Sequence, residues 1–174
     1  MRVLIIGAWM NELHRLEFAE PVARLVKEPK LVHYSRLSLK ELEWAQKIII
    51  CGTSLQDKGY PVEDFRWLKK CKVPVLGICA GMQLIGQVFG FKLIKQLEIG
   101  FRSLNFEKEY LGLSGEVEVY DMHSLALDES ISSKFEVYAS TEVPQAIRHK
   151  QIYGVLFHPE ARTKQLISNF VSGE

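Results

Sequence analysis

Four short runs rich in apolar residues, at positions 3–7, 31–34, 47–52 and 73–78, divide the first half of the chain. They are continuous rather than alternating, Val3-Leu4-Ile5-Ile6-Gly7 and Lys47-Ile48-Ile49-Ile50-Cys51-Gly52 above all. Continuous apolar runs of this length predict strands buried on both faces of a parallel sheet. Between the first two runs, residues 12–28 place Leu13, Leu16, Ala19, Ala23 and Val26 among charges, a helical stripe that Pro21 kinks or restarts. Residues 38–44 predict a short helix capped by Ser38, residues 61–70 a helix opened by Pro61, and residues 80–89 a helix leaving the fourth run. After Phe91 the texture changes to short alternating segments at 103–106, 116–120, 135–140 and 146–149, which predict mixed or antiparallel strands. They lead to a further apolar run at 153–157 and a closing amphipathic helix over 161–171. Repeated strand and helix units of this kind predict an α/β fold, an open, mostly parallel sheet with helices on both faces and an additional antiparallel or mixed strand region.

Composition narrows this picture. A length of 174 residues suits one domain, 1–174, with a substantial core. A net charge of +1 with 25% charged residues argues against a nucleic-acid or membrane surface. The opening seven residues carry a charge and a short apolar run without the length of a signal peptide, and no run approaches the roughly 18 residues of a membrane span. The cysteines, Cys51, Cys71 and Cys79, lack the close-spaced Cys/His pairing of zinc sites, so no metal is expected, and their odd number points to reduced thiols in a cytoplasm. Cys51 and Cys71 read as core or near-surface thiols. There is no phosphate loop of the G-x-x-x-x-G-K-[ST] type and no other sign of a cofactor.

The chemistry concentrates where the fourth run ends. Gly77-Ile78-Cys79-Ala80-Gly81 flanks a cysteine with glycines two residues away on each side. Glycines there remove the Cβ atoms that would collide when a strand folds straight back into a helix around an exposed nucleophile. The helix N-terminus beyond Cys79 favours thiolate over thiol. The run at 153–157 ends in His158-Pro159-Glu160, which supplies a base for the thiol and a carboxylate to fix the imidazole. Proline fixes φ between them, so both side chains can project to one side.

Gly77-Ile78-Cys79-Ala80-Gly81-Met82-Gln83 and Gly154-Val155-Leu156-Phe157-His158-Pro159-Glu160, with nucleophile and base 79 positions apart, together resemble the class I, triad-type glutamine amidotransferases. The resemblance implies a flavodoxin-like sheet and a glutaminase in which Cys79, His158 and Glu160 are catalytic. It also implies that Gln83 and the backbone at Ser124 and Leu125, in Asp121-Met122-His123-Ser124-Leu125, hold L-glutamine. Gly52 sits where the family has a glycine-rich loop, so the N–H of Gly52 or its neighbour, with that of Ala80, would form an oxyanion hole. The family usually shows a proline or second glycine there, so Thr53 and Ser54 are departures.

In such a family the ammonia passes to a synthase. Nothing in this chain accounts for nucleotide or acceptor chemistry, so a separate synthase subunit is the expected partner, of the GMP synthase or anthranilate type; the alternative is a free-standing γ-glutamyl hydrolase using the same triad. The loop over 52–60 has no apolar anchor before Leu55, which predicts an oxyanion donor left loose until a partner docks over it and over residues 98–102. Glu98 stands where some members place an acid facing the substrate ammonium, but reads as a surface carboxylate. His123 reads as structural, and His14, His33 and His149 as surface or structural residues without partners.

Overall fold

Side chains of the first strand, β1 (Val3–Gly7), split between two cores: Val3 and Ile5 enter one, Leu4 and Ile6 the other. The same division recurs in β3 (Lys47–Ile50) and β4 (Val75–Ile78), as continuous apolar strands require. The computed structural model describes residues 1–57 and 59–173; Lys58, in the loop predicted to be loose, and Glu174 lie outside the described residues. With β2 (Lys30–His33) and β9 (Ile152–Val155), these strands form the parallel part of a seven-stranded sheet. Antiparallel β8 (Pro144–His149) and β7 (Glu136–Ser140) extend it, in the order β2-β1-β3-β4-β9-β8-β7. The open, mostly parallel, flavodoxin-like sheet flanked by helices is therefore as expected. No helix among the described residues is long and apolar enough to cross a membrane.

The first helical segment departs from a single stripe over 12–28. It breaks into α1 (Glu12–His14), a π-helical turn over Arg15–Ala19, and α2 (Glu20–Ala23), with Pro21 in the first turn of α2. Proline has no N–H and crowds the preceding turn, and the widened register absorbs it. The widening also rotates the apolar face. Phe18, Ala19, Val22 and Val26 are buried, while Leu13 and Leu16 stay 55% and 49% exposed. The helix over 38–44 forms as α3 (Leu39–Trp44), and the N–H of Ser38 donates to Glu41 Oε2 at 2.9 Å. The segment after Pro61 is a 3-10 helix, Val62–Lys70, rather than an α-helix. The closing helix, α5 (Lys164–Ser172), begins three residues later than expected.

The segments at 103–106 and 116–120 are parts of one long antiparallel ribbon, β5 (Leu93–Tyr110) and β6 (Leu113–Leu127). Its tip packs Leu104, Phe106, Tyr110, Leu113 and Val119 into the first core, and its base packs Ala126 and Leu127 into the second. The ribbon thus passes from one face of the sheet to the other, and it does so at the carboxyl end of the parallel strands, where open α/β sheets bind ligands. The N–H of His158 donates to Tyr120 O at 2.8 Å, fastening the crossing to the chain beyond β9.

Candidate active site

Cys79 sits between β4 and α4 (Ala80–Val88) with φ 48° and ψ −104°. A non-glycine residue in such a conformation is strained and persists only where its surroundings impose it. Those surroundings are close-packed: a Cβ on Gly81 would lie 2.2 Å from the carbonyl oxygen of Ile50, and one on Gly77 would lie 2.6 Å from the backbone of Gly81. The N–H of Cys79 donates to Val155 O at 2.8 Å, and Sγ lies 3.7 Å from Met122 O, so the elbow is tied to both β9 and the crossing ribbon.

His158 and Glu160 lie beyond the end of β9, with Nδ1 of His158 2.7 Å from Glu160 Oε1 and both side chains buried. A carboxylate accepts, so Nδ1 carries the proton. Nε2 is buried without a hydrogen-bond partner among the described residues. Burial works against the charged ring, but the charges of Glu160 and Cys79 outweigh it and hold the His158 pKa well above its ordinary value. Gly52 closes the third side. A Cβ there would lie 2.8 Å from His158 Cε1 and 3.2 Å from Cys79 Cβ.

Cys79, Ala80 and Gln83 line one pocket with Ser124 and Leu125. Gln83 is buried, and its amide Nε2 donates to Leu125 O at 2.8 Å, so it holds the ribbon backbone rather than standing free over the sulfur. Ala80 opens α4, and its N–H has no intrahelical partner by construction. The sequence-predicted residues therefore converge in one place.

Several neighbours were not foreseen. Tyr60 lines the pocket, and burial, then the charges of Cys79 and Asp57, push its phenol above its ordinary value, leaving a neutral O–H donor. Phe18 packs against the His158 ring, tilted by 52° with ring centres 5.5 Å apart, and, with Pro21, Tyr120 and Met122, walls a second recess on the His158–Glu160 side. The only sequence signal for Phe18 was an aromatic one residue out of step with the helical stripe.

Three expectations need correction. Glu98 is buried, held by Gln145 Nε2 at 2.8 Å and by Arg102 Nη2 at 3.2 Å. His33 bonds to Trp9 O at 2.9 Å, and His14 Nδ1 lies 2.8 Å from Asp57 Oδ2. The loop after β3 is anchored, by polar rather than apolar groups: Thr53 and Asp57 are buried and bonded to each other. Among the described residues, one set of side chains has metal-ligand spacing, Glu98, Asp121 and His123, with ligand atoms within 4.8 Å of one another. Arg102, whose Nε lies 2.9 Å from Asp121 Oδ2, already supplies the cation between the carboxylates.

The class-I glutamine amidotransferase family model matches residues 18–172. Among curated proteins, the chain is 27% identical over 172 residues to one of the subunits of the glutamine-hydrolyzing GMP synthase of Methanobrevibacter smithii, covering 92% of this chain and 87% of that one. It is 32% identical to the glutamine-hydrolyzing GMP synthase of Aquifex aeolicus over 90% of this chain but only 34% of that longer protein. It is 33% identical to the anthranilate synthase component 2 of Cyanophora paradoxa, over 73% of this chain and 75% of that one. Among solved structures, a Thermoplasma acidophilum protein assigned as a GMP synthase subunit superposes with a TM-score of 0.80 at 22% identity, covering 99% of this chain and 94% of that one, which bears on the fold alone. A strained cysteine elbow facing a carboxylate-held histidine on this sheet, matched by the family model over nearly the whole chain, places the protein in the class-I glutamine amidotransferases.

Proposed function

We propose that the chain is a glutaminase subunit that hydrolyses the side-chain amide of L-glutamine through a thioester on Cys79 and delivers ammonia to a separate synthase. The observation that carries the chemistry is the His158 ring. Its Nδ1 is fixed by Glu160 at 2.7 Å, and its Nε2 is buried and unpartnered among the described residues beside the elbow. In this reading the Cys79 thiolate attacks the amide carbon, and the oxygen that becomes negative is met by the N–H groups of Ala80 and of Gly52 or Thr53. Collapse breaks the C–N bond, with imidazolium His158 giving its proton to the departing ammonia. Neutral His158 then takes a proton from water as it attacks the thioester, releasing glutamate and regenerating the thiolate. Gln83, by holding Leu125 O, sets the Ser124–Leu125 backbone that receives the amino-acid end of glutamine.

A synthase partner is supported by the outward face of β5. Leu97, Ile99 and Phe101 alternate on that face and are 67%, 60% and 68% exposed, an apolar strip suited to a protein interface. Of the two acceptor types, GMP synthase has the better support, because the Methanobrevibacter relative matches over most of both chains, whereas the anthranilate relative matches over three-quarters. The site of action is then the cytoplasm.

The test is ammonia release from glutamine by the full chain, alone and with the synthase that co-purifies from the native extract. Cys79→Ala should lose about 10³-fold or more of the activity. An alanine variant near the wild-type rate would end the triad reading, and a lone chain that is fully active and indifferent to every co-purified protein would end the reading as one component of a synthase.

A further inference from the structure

The loop that presents Gly52 is held by a buried carboxylate. Asp57 is 5% exposed and Thr53 3%. Oδ2 of Asp57 accepts from the Thr53 hydroxyl and lies 2.8 Å from Nδ1 of His14, while the N–H of Asp57 donates to Ser54 O at 2.9 Å. His14 ends α1, 43 residues earlier in the chain. One buried oxygen therefore ties the residue after Gly52 to a helix on a different part of the fold. Burying a carboxylate is costly unless donors compensate it, and here both donors are side chains that would otherwise leave the loop free to move.

We propose that Asp57 is a positioning residue for glutamine hydrolysis: with His14 it clamps Thr53 and so sets the Gly52–Thr53 backbone against Cys79 and His158. The inference rests on the glutaminase reading above. Gly52 is already packed so closely on both catalytic side chains that a Cβ would not fit, and an oxyanion donor acts only within about 2.7–3.1 Å of the developing charge. A loop released at Thr53 therefore loses transition-state contact before it loses substrate, because the amide oxygen becomes an oxyanion only after attack.

Thr53→Val keeps the shape and removes the hydroxyl; Asp57→Ala removes the acceptor; His14→Gln keeps an N–H donor where His14→Ala does not. In the full chain with its co-purified synthase, Thr53→Val and Asp57→Ala should lower kcat about 10- to 100-fold with KM within about twofold. His14→Gln should retain more activity than His14→Ala. Alkylation of Cys79 by iodoacetamide, a displacement that forms no oxyanion, should proceed at the wild-type rate in Thr53→Val, which also reports that the elbow is intact. An unchanged kcat in Thr53→Val, or a rise in KM at constant kcat in Asp57→Ala, would overturn the proposal, the second by making Asp57 a substrate contact. Activity surviving in Cys79→Ala would instead remove the glutaminase reading beneath it.

Discussion

Gly52→Ala is the sharpest perturbation this site offers, because it adds one carbon at a place where the space can be measured. That carbon would lie 2.8 Å from His158 Cε1 and 3.2 Å from Cys79 Cβ, where ordinary contact begins at 3.4 Å. The imidazole must therefore retreat by about 0.6 Å or the loop must swing away by as much. The ring has little freedom to do so: Glu160 holds Nδ1 at 2.7 Å and Phe18 packs 5.5 Å from the ring centre. A displacement approaching 1 Å between reacting groups costs on the order of 100-fold in rate, about 2.7 kcal/mol of barrier. Backbone strain adds nothing, since Gly52 does not have positive φ. The expected result is a kcat for glutamine hydrolysis reduced on the order of 100-fold with a stability loss of about 1 kcal/mol, smaller than that of Gly81→Ala. Gly81→Ala provides the contrast, because its Cβ meets the backbone oxygen of Ile50 at 2.2 Å. Backbone on both sides cannot yield as a side chain can, so this variant should lose about 3 kcal/mol or more of stability in urea denaturation. A Gly52→Ala enzyme with full kcat would refute the close packing of loop, sulfur and imidazole on which the site geometry depends.

Removing the base should hurt more than removing its orienter: His158→Ala is expected to cost at least about tenfold more kcat than Glu160→Gln, read by ammonia release at saturating glutamine. Iodoacetamide followed by peptide mapping should label Cys79 well before Cys51, since burial, then the charge of Glu160, pushes the Cys51 thiol well above its ordinary value. The raised pKa of His158 means that its protonated ring stabilises the fold fully below about pH 6.5 and that this contribution is lost as pH rises through the folded value. The stability deficit of His158→Asn in urea should accordingly be largest near pH 6 and shrink as the pH is raised through the folded value.

The parallel half of the sheet was legible because strands buried on both faces must be continuously apolar, as β1 and β4 are and as β3 is after Lys47. The elbow was legible for a different reason: a strand that turns into a helix within one residue leaves no room for side chains at 77 and 81. The ribbon was not. Over Leu97–Arg102 the alternation is correct in period but inverted in sense, with Glu98 5% exposed and its apolar neighbours Leu97 and Ile99 facing out, so a rule that buries apolar residues assigns the wrong face. The clamp of His14, Thr53 and Asp57 was invisible for want of any local signature, because it joins residues 43 positions apart through a single oxygen. The π-helical turn before Pro21 likewise altered which of Leu13, Leu16 and Phe18 is buried without altering the apolar count.

The inverted face has a cost that the rest of the ribbon does not explain. Two carboxylates, Glu98 and Asp121, lie beneath it against one guanidinium and a histidine. Burial, countered in part by the charge of His123, raises the Asp121 pKa from its ordinary value, and burial lowers the His123 pKa. Replacing such a cluster by apolar groups is often neutral or stabilising, and the outward Leu97, Ile99 and Phe101 are the residues that would ordinarily fill it. Stability alone therefore does not select this arrangement. Two features of the site do make use of it. His123 bonds through Nδ1 to Gln96 O at 3.1 Å, which pins β6 to β5 immediately before Ser124 and Leu125; a directional bond fixes that backbone in a way that sliding apolar contacts do not. The same inversion turns three large apolar side chains outward on the strand paired to the site-lining segment. A surface that covers them would press on the segment that Gln83 and Met122 connect to Cys79, so under the proposed function a docking partner and the Ser124–Leu125 backbone would be coupled through opposite faces of one ribbon.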